Sequence, residues 1–425
     1  MAKPTSDKTL IKVFMIFFVT LITEYVVTIP KSLTDVYQIP SYVMRYQDVG
    51  FINRGLIGTL TRLIYGDVIN NKDILSISMI AMVSIIVIIS YIFAKMYVNY
   101  IDTEYCNIVV ILIMLYWILP VGWHAYYQGS FMIHLEVYIV LLNLICFIVH
   151  WKVKSINVKF SIYAFVSIIA MLIHTNYMFM GYPFVMFFIV TDFYGQNKKK
   201  TYIFKALFLT IFVCVFFLFV QFSSTICMSF DETTMYVKSH YSGYDIDSVL
   251  TGEEWDYRPW YHLMLYNYYF SDFFGCLKEN LQIYYKSMII GGIETIIIVC
   301  PIIGFLVKSI KKIMLSESTE LKVSIIAGYV LSICFLPLFI LTVDYGRWFT
   351  LLFMYFAMVY FSVLYKYKLK LEECGYLEWL KKFIEKRKLS IVCLVIVYYA
   401  IGKIDLIDLW PRINEVYTEL KIFFM

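Results

Sequence analysis

Five polar phrases interrupt an otherwise apolar chain, and their side chains are of the kinds that move protons or hold phosphate. RYQDVGFINRGLIGTLTRLIYGD (45–67) supplies Asp48, Arg54 and Arg62, with Gly55 and Gly58 permitting close backbone approach. GWHAYYQGSFMIHLE (122–136) supplies His124, Gln128, His134 and Glu136. IHTNYMFMGYP (173–183) adds His174, Asn176 and Tyr177, and LTVDYGRWF (341–349) adds Asp344 and Arg347. EEWDYRPWYH (253–262) adds Asp256, Arg258 and His262 beside Trp255 and Trp260. A carboxylate or an imidazole can take the proton of a hydroxyl nucleophile, which makes His174 and Asp48 the candidate catalytic groups, with His124 and His134 as weaker versions of the same idea. An arginine fork grips phosphate through two parallel N–H bonds, which makes Arg54 and Arg347 the candidate anion holders. Asp344 and Arg347 are three apart and would share a helix face. They could neutralise each other at a helix end, or Arg347 could aim at an anionic ligand. Asp48 with Arg54 allows the same two readings. Trp255 and Trp260, among carboxylates and close to Arg258, suit a sugar groove, where pyranose C–H faces pack on rings and hydroxyls donate to carboxylates.

The elements that must position these groups are membrane helices. The chain is 61 % hydrophobic, with a mean hydropathy of +0.73, against roughly 45–50 % apolar in soluble domains. Many apolar runs reach the roughly 18 residues that make a spanning helix plausible. The segments that would build a β-barrel are about 10 residues of alternating character, and that pattern is missing here. The expected architecture is all-α: a polytopic helical bundle with spans at 10–29, 74–98, 106–121, 132–150, 160–173, 177–192, 202–222, 286–307, 323–343, 348–365 and 389–407. The fifth and sixth are short, either thin spanning helices or a re-entrant hairpin. The first run lacks a small-residue cleavage site and is expected to remain as a helix. The whole of 1–425 reads as one integral membrane domain.

Lysines set the orientation. Lys152, Lys154 and Lys159, then Lys198–Lys200 and Lys205, then Lys308, Lys311, Lys312 and Lys322, and the run from Lys366 to Lys388 all fall on one side. Placing them in the cytoplasm puts the N-terminus inside and the C-terminus outside. All five polar phrases then face away from the cytosol. The connection 223–285 becomes a large outer loop with nine acidic residues against Lys238, Arg258 and Lys278. Its Cys227 and Cys276 could pair in an oxidising compartment. Segment 366–388 is amphipathic, with Leu371, Leu377, Leu380 and Ile384 near one face and lysines opposite, and is expected on the cytoplasmic membrane surface. No Walker A, GxGxxG, HExxH, GxSxG or CxxC pattern is present. A nucleotide-driven pump, a cytoplasmic nucleotide-sugar enzyme and a zinc site therefore lack support. The net charge of +5 sits at helix ends and carries no nucleic-acid footprint.

The layout resembles the bacterial inner-membrane proteins of surface-polysaccharide clusters, the O-antigen and capsule polymerases of the Wzy and EpsG-like type. The resemblance rests on length, helix number, one large outer loop and the phrases DVGFINRGLIGTL, IHTNYMFMGYP and TVDYGRW. A pair of RX10G-like motifs in large outer loops is not found. The resemblance implies a polyprenyl-pyrophosphate-linked oligosaccharide as substrate, membrane lipid around the chain, and no metal or soluble cofactor. It implies a chain-length regulator or other assembly proteins as partners, and a pyrophosphate held by Arg54 and Arg347. A second expectation is a GT-C-type glycosyltransferase using a polyprenyl-monophosphate sugar. That fold would pack 30–73 as amphipathic helices on the membrane around Asp48, with Asp48 or Asp35 as catalytic carboxylate. A third is a flippase for a lipid-linked glycan, for which Glu24 and Glu294 are the candidate intramembrane carboxylates.

Overall fold

The computed structural model describes residues 7–28, 38–118, 133–194, 199–222, 228–243, 303–341 and 345–393, with 278, 300 and 301 besides. Among these the fold is helical, and the only pairing of extended backbone is a single bridge between Ile69 and Tyr241. Among the described residues five helical segments are long and apolar enough to cross a membrane: Asp7–Val27, Asn71–Tyr100, Ile156–Ile173, Lys199–Phe222 and Thr319–Phe339. Tyr177–Phe193 and Leu351–Lys366 are shorter apolar stretches. The chain packs as two compact units, one of residues 15–92 and 126–276, the other of 1–14, 93–125 and 277–425.

The first unit carries most of the polar phrases. Its long helices are α1 (Asp7–Thr28), α5 (Asn71–Tyr100), α7 (Glu136–Lys152), α8 (Ile156–Ile173) and α11 (Lys199–Phe222). α1 and α5 each begin or end in the other unit. The described part of the connection between α1 and α5, from residue 38 onward, holds three short helices: α2 (Ile39–Val43), α3 (Tyr46–Val49) and α4 (Gly55–Tyr65). α4 has its polarity inverted relative to a soluble helix. Thr61 and Arg62 are buried while Leu60, Leu63 and Ile64 are exposed, as expected of a helix that turns apolar side chains toward lipid. It begins directly after Arg54, whose φ of 65° is the left-handed conformation, and stops at Gly66 with φ 98°. Gly58 lies against the backbone of Met44, where α2 ends. α5 starts with a reciprocal cap, in which Asn70 Oδ1 accepts from the Lys72 N–H and Asp73 Oδ2 accepts from the Asn70 N–H, each at 2.8 Å.

α7 and α8 run antiparallel across the turn 153–155, and α8 stops at His174, whose N–H still reaches the Ala170 carbonyl. The chain returns through α9 (Tyr177–Met180) and α10 (Tyr182–Phe193), with Pro183 in the first turn of α10, where its missing N–H is harmless. The fifth expected span is thus long enough to cross a membrane, and the sixth is a shorter apolar stretch made of two helices. From the expected outer loop, α12 (Phe230–His240) is set by a full capping box between Ser229 and Glu232.

The second unit holds a helical stretch at 303–313 and the helices Cys106–Ile118, Thr319–Ser332, Tyr345–Lys366, Lys368–Glu373 and Tyr376–Lys386. The amphipathic segment is two helices rather than one, because Gly375 adopts a φ of 65° between them. The apolar face read from the sequence survives this break: Leu371, Leu377, Leu380 and Ile384 are all buried.

Candidate functional site

Asp48 is the hub of a charge network built by the short helices. Its Oδ2 accepts from Arg45 Nε at 2.8 Å, from an Arg62 guanidinium nitrogen at 2.7 Å and from the Tyr236 hydroxyl. Asp67 closes the ring, taking Arg45 at 2.8 Å and Arg62 at 3.1 Å. The side chain of Arg62 is 0 % exposed and that of Asp67 is 71 % exposed, so the network runs from a buried cation to a wet rim. The Arg62 guanidinium also lies 5.7 Å from the centre of the Tyr236 ring. Burial alone would raise the Asp48 carboxyl, but the hydrogen bonds from Tyr236, Arg45 and Arg62 outweigh it and hold the group below its usual value. Burial and the Asp48 hydrogen bond push the Tyr236 phenol up, so it stays a donor. α12 is held over this network by the Ile69–Tyr241 bridge, whose bonds are 3.0 and 2.9 Å long.

Next to the network, at the same end of the unit, lies a buried carboxylate between two imidazoles. Tyr46, two residues before Asp48, donates to the carbonyl of Leu172, two residues before His174. Asn53 donates to Thr175 at 3.3 Å. Glu136, the first residue of α7, faces the end of α8: its Oε1 is 3.7 Å from His174 Nε2 and its Oε2 is 3.8 Å from His134 Nδ1. All three residues are at most 2 % exposed. His174 Nδ1 accepts the Asn176 N–H at 3.1 Å, so a neutral His174 carries its proton on Nε2, the nitrogen that faces the carboxylate. Tyr42 closes the group from α2, donating to the Ile133 carbonyl at 2.6 Å beside Ser78 and Tyr138. Burial, then Tyr138 and Glu136, keep its phenol well above the ordinary range. This arrangement can hold or relay a proton, but it is closed to a dissolved substrate.

The opposite end of α7 is built differently. Asp192, at the end of α10, meets His150 Nδ1 at 3.2 Å and Lys159 Nζ at 2.5 Å. Glu136 and His150 lie 14 residues apart on α7 (150 − 136), or about 21 Å at 1.5 Å per residue. The unit therefore places the Glu136 group and the Lys159–Asp192 pair at opposite ends of α7.

Two of the remaining candidates lie on described backbone. Arg54 opens α4 between Asn53, bonded to Thr175, and Gly55, packed on Tyr46. Arg347 belongs to the Tyr345–Lys366 helix of the second unit. Asp344, His124, Arg258, Trp255, Trp260, Cys276 and Cys227 lie outside the described residues. Among the described residues no group of three or more His, Cys, Asp or Glu could hold a metal ion. No protein-family model, curated protein or solved structure matches this chain.

Sequence reasoning missed Arg45, Arg62 and Tyr236 as partners of Asp48, Asp67 as the second carboxylate that both arginines share, and Glu136 as the carboxylate of His174. One signal was available for Tyr236: the S-x-x-E phrase at Ser229–Glu232 marks a helix start inside the supposed loop. Glu136→Leu removes the carboxylate that two imidazoles face and is expected to cost about 1–3 kcal/mol. Glu136→Gln, which keeps an acceptor oxygen, should cost less. Thermal melts of the two variants in neutral detergent check the order.

Proposed function

We propose that this chain is a multi-pass membrane glycosyltransferase that takes its sugar from a polyprenyl-phosphate-linked donor at the side of the membrane bearing Asp48. On the charge pattern that side is extracytoplasmic, and the membrane is a bacterial inner membrane. The observation that carries the reading is the connection between α1 and α5. Its described part holds three short helices around Asp48, and α4 turns Leu60, Leu63 and Ile64 outward while keeping Arg62 inside. That is the arrangement expected of a GT-C-type enzyme.

The chemistry follows from the hub. The acceptor hydroxyl oxygen attacks C1 of the donor sugar, the bond from C1 to the phosphate oxygen breaks, and its electron pair leaves with the phosphate. The hydroxyl proton goes to the Asp48 carboxylate. All three of its side-chain donors take Oδ2, so Oδ1 is the oxygen through which the acceptor is engaged. A carboxylate held at low pKa is a weak base, so the proton moves late, once the C1–oxygen bond is largely broken. Arg54 is assigned to the leaving phosphate. Its left-handed backbone costs of order 1 kcal/mol for a residue with a Cβ, and glycine would adopt that conformation freely. An arginine there calls for a role for its side chain.

Polymerisation of pyrophosphate-linked oligosaccharide repeats remains a second reading. The observation that favours it is α12, through which the 223–285 connection brings Tyr236 to the same carboxylate. The two readings share Asp48 and differ in the leaving group. Full-length protein in nanodiscs, given a polyprenyl-monophosphate hexose or a pyrophosphate-linked repeat, releases lipid monophosphate in the first case and lipid pyrophosphate in the second. Asp48→Asn is expected to lower turnover about 10²–10⁴-fold. Undiminished transfer by a folded Asp48→Asn protein rules out both readings.

A further inference from the structure

A cavity of about 410 Å³ lies within the second unit, in the range of roughly 300–1,000 Å³ typical of small-ligand sites. Its walls are apolar: Phe305 from the 303–313 stretch, Phe353 and Phe356 from the Tyr345–Lys366 helix, Phe383 and Ile384 from the Tyr376–Lys386 helix. Two cations line the same cavity and share one ring. Lys308 Nζ is 5.9 Å and Arg387 Cζ is 4.9 Å from the centroid of Phe383. Among the described residues neither has a carboxylate within salt-bridge distance, and the carboxylates Glu320 and Glu104 are taken by Lys366, Lys370 and Lys381.

Both cations are exposed, and set against one ring beside apolar walls they offer a phosphate two positive contacts at the rim of the cavity. An aromatic-walled cavity takes hydrocarbon. In a chain whose helices are long enough to cross a membrane, one ligand class satisfies both demands, a phospholipid, whose acyl chains are joined through glycerol to an anionic phosphate. The fork of Arg387 and the point charge of Lys308 suit phosphate, and basic pockets between membrane helices are a known setting for anionic headgroups. We infer that this cavity is a lipid site, holding one acyl chain of an anionic phospholipid with its phosphate between Lys308 and Arg387. The amphipathic Tyr376–Lys386 helix then forms one wall of the site, tied by Tyr376 to Ser309 at 3.2 Å. The inference does not depend on the reaction assigned to Asp48.

The test is native mass spectrometry of the full-length protein in neutral detergent, titrated separately with phosphatidylglycerol, phosphatidylcholine and polyprenyl phosphate. Phosphatidylglycerol should be retained selectively. Its affinity should fall about tenfold when Lys308→Gln and Arg387→Gln are combined. Gly304→Leu probes the cavity apart from the charges. Gly304 lines the cavity, a Cβ there would meet nothing within 4 Å, and leucine is the better helix former. Lipid loss in that folded variant therefore reports occlusion. Equal retention of phosphatidylcholine, preference for polyprenyl phosphate, or unchanged binding in either variant overturns the assignment.

Discussion

Asp48→Ala should destabilise the protein well beyond the loss of one surface ion pair. Exposed pairs contribute about 0–1 kcal/mol. Breaking a fully buried pair by removing one partner costs about 3–5 kcal/mol, because a charge is left uncompensated in a poor solvent. This case lies between the two. Arg62 has no exposed side-chain surface, Asp48 is 24 % exposed, and Asp67 remains to hold Arg62 at 3.1 Å. The expected cost is about 2–3 kcal/mol, read as a lower melting temperature in detergent. Asp48→Asn, which keeps an oxygen for Tyr236 and a guanidinium to share, should lose less stability while still losing transfer. The pH dependence has a definite sign. The folded carboxyl lies below its usual value of 3.8, so its contribution is fully present above about 4 and is lost as pH falls through the depressed folded value. The gap in stability between wild type and Asp48→Ala should be flat from pH 5 to 8 and close in stronger acid. A gap that widened in acid would contradict the network as drawn.

The difference between what the sequence disclosed and what it withheld follows from the range of the interactions. Helices such as α5 and α11 were legible because hydropathy is a local sum, and every long apolar run that falls on described residues became helix. Asp48, Arg62 and His174 could be picked out because a charged or titratable group is costly within apolar sequence unless it is used or paired. Their partners could not be picked out in this way. Tyr236 is 188 positions from Asp48, and nothing in either neighbourhood specifies the other. Glu136 was visible as a residue but not as the partner of His174, because that contact depends on α7 and α8 folding back on each other so that the start of one meets the end of the other. The break at Gly375 was hidden for another reason. The apolar spacing of Leu371, Leu377, Leu380 and Ile384 is close to one helical face, and only the left-handed φ of the glycine reveals two helices.

Gly58→Ala tests whether the short helices around Asp48 are held as tightly as the proposed chemistry requires. A Cβ at residue 58 would lie 2.0 Å from the carbonyl oxygen of Met44 and 2.8 Å from its carbonyl carbon. Both are backbone atoms, so no rotamer change relieves the overlap. Nor can Met44 move freely, because its own N–H is bonded to Pro40 at 3.0 Å and its side chain is buried. α4 must therefore lift from α2. Overpacking of this kind costs typically about 1–3 kcal/mol and sometimes more, and alanine's better helix propensity recovers at most about 1 kcal/mol. The functional consequence should be larger than the loss of stability. Arg62 sits one turn further along α4, so a shift that clears Met44 also carries its guanidinium away from Asp48. A misplacement of about 1 Å can reduce a reaction about 10²-fold. Gly55→Ala makes a useful comparison. Its Cβ would meet the Tyr46 ring at 2.4 Å and the Ile52 side chain at 2.9 Å, which are side-chain rather than backbone atoms; the ring can shift at the expense of its hydrogen bond to Leu172, so it should cost less in both melting temperature and transfer. If Gly58→Ala melts like the wild type and transfers sugar at the same rate, α4 is not the rigid platform on which the Asp48 site depends.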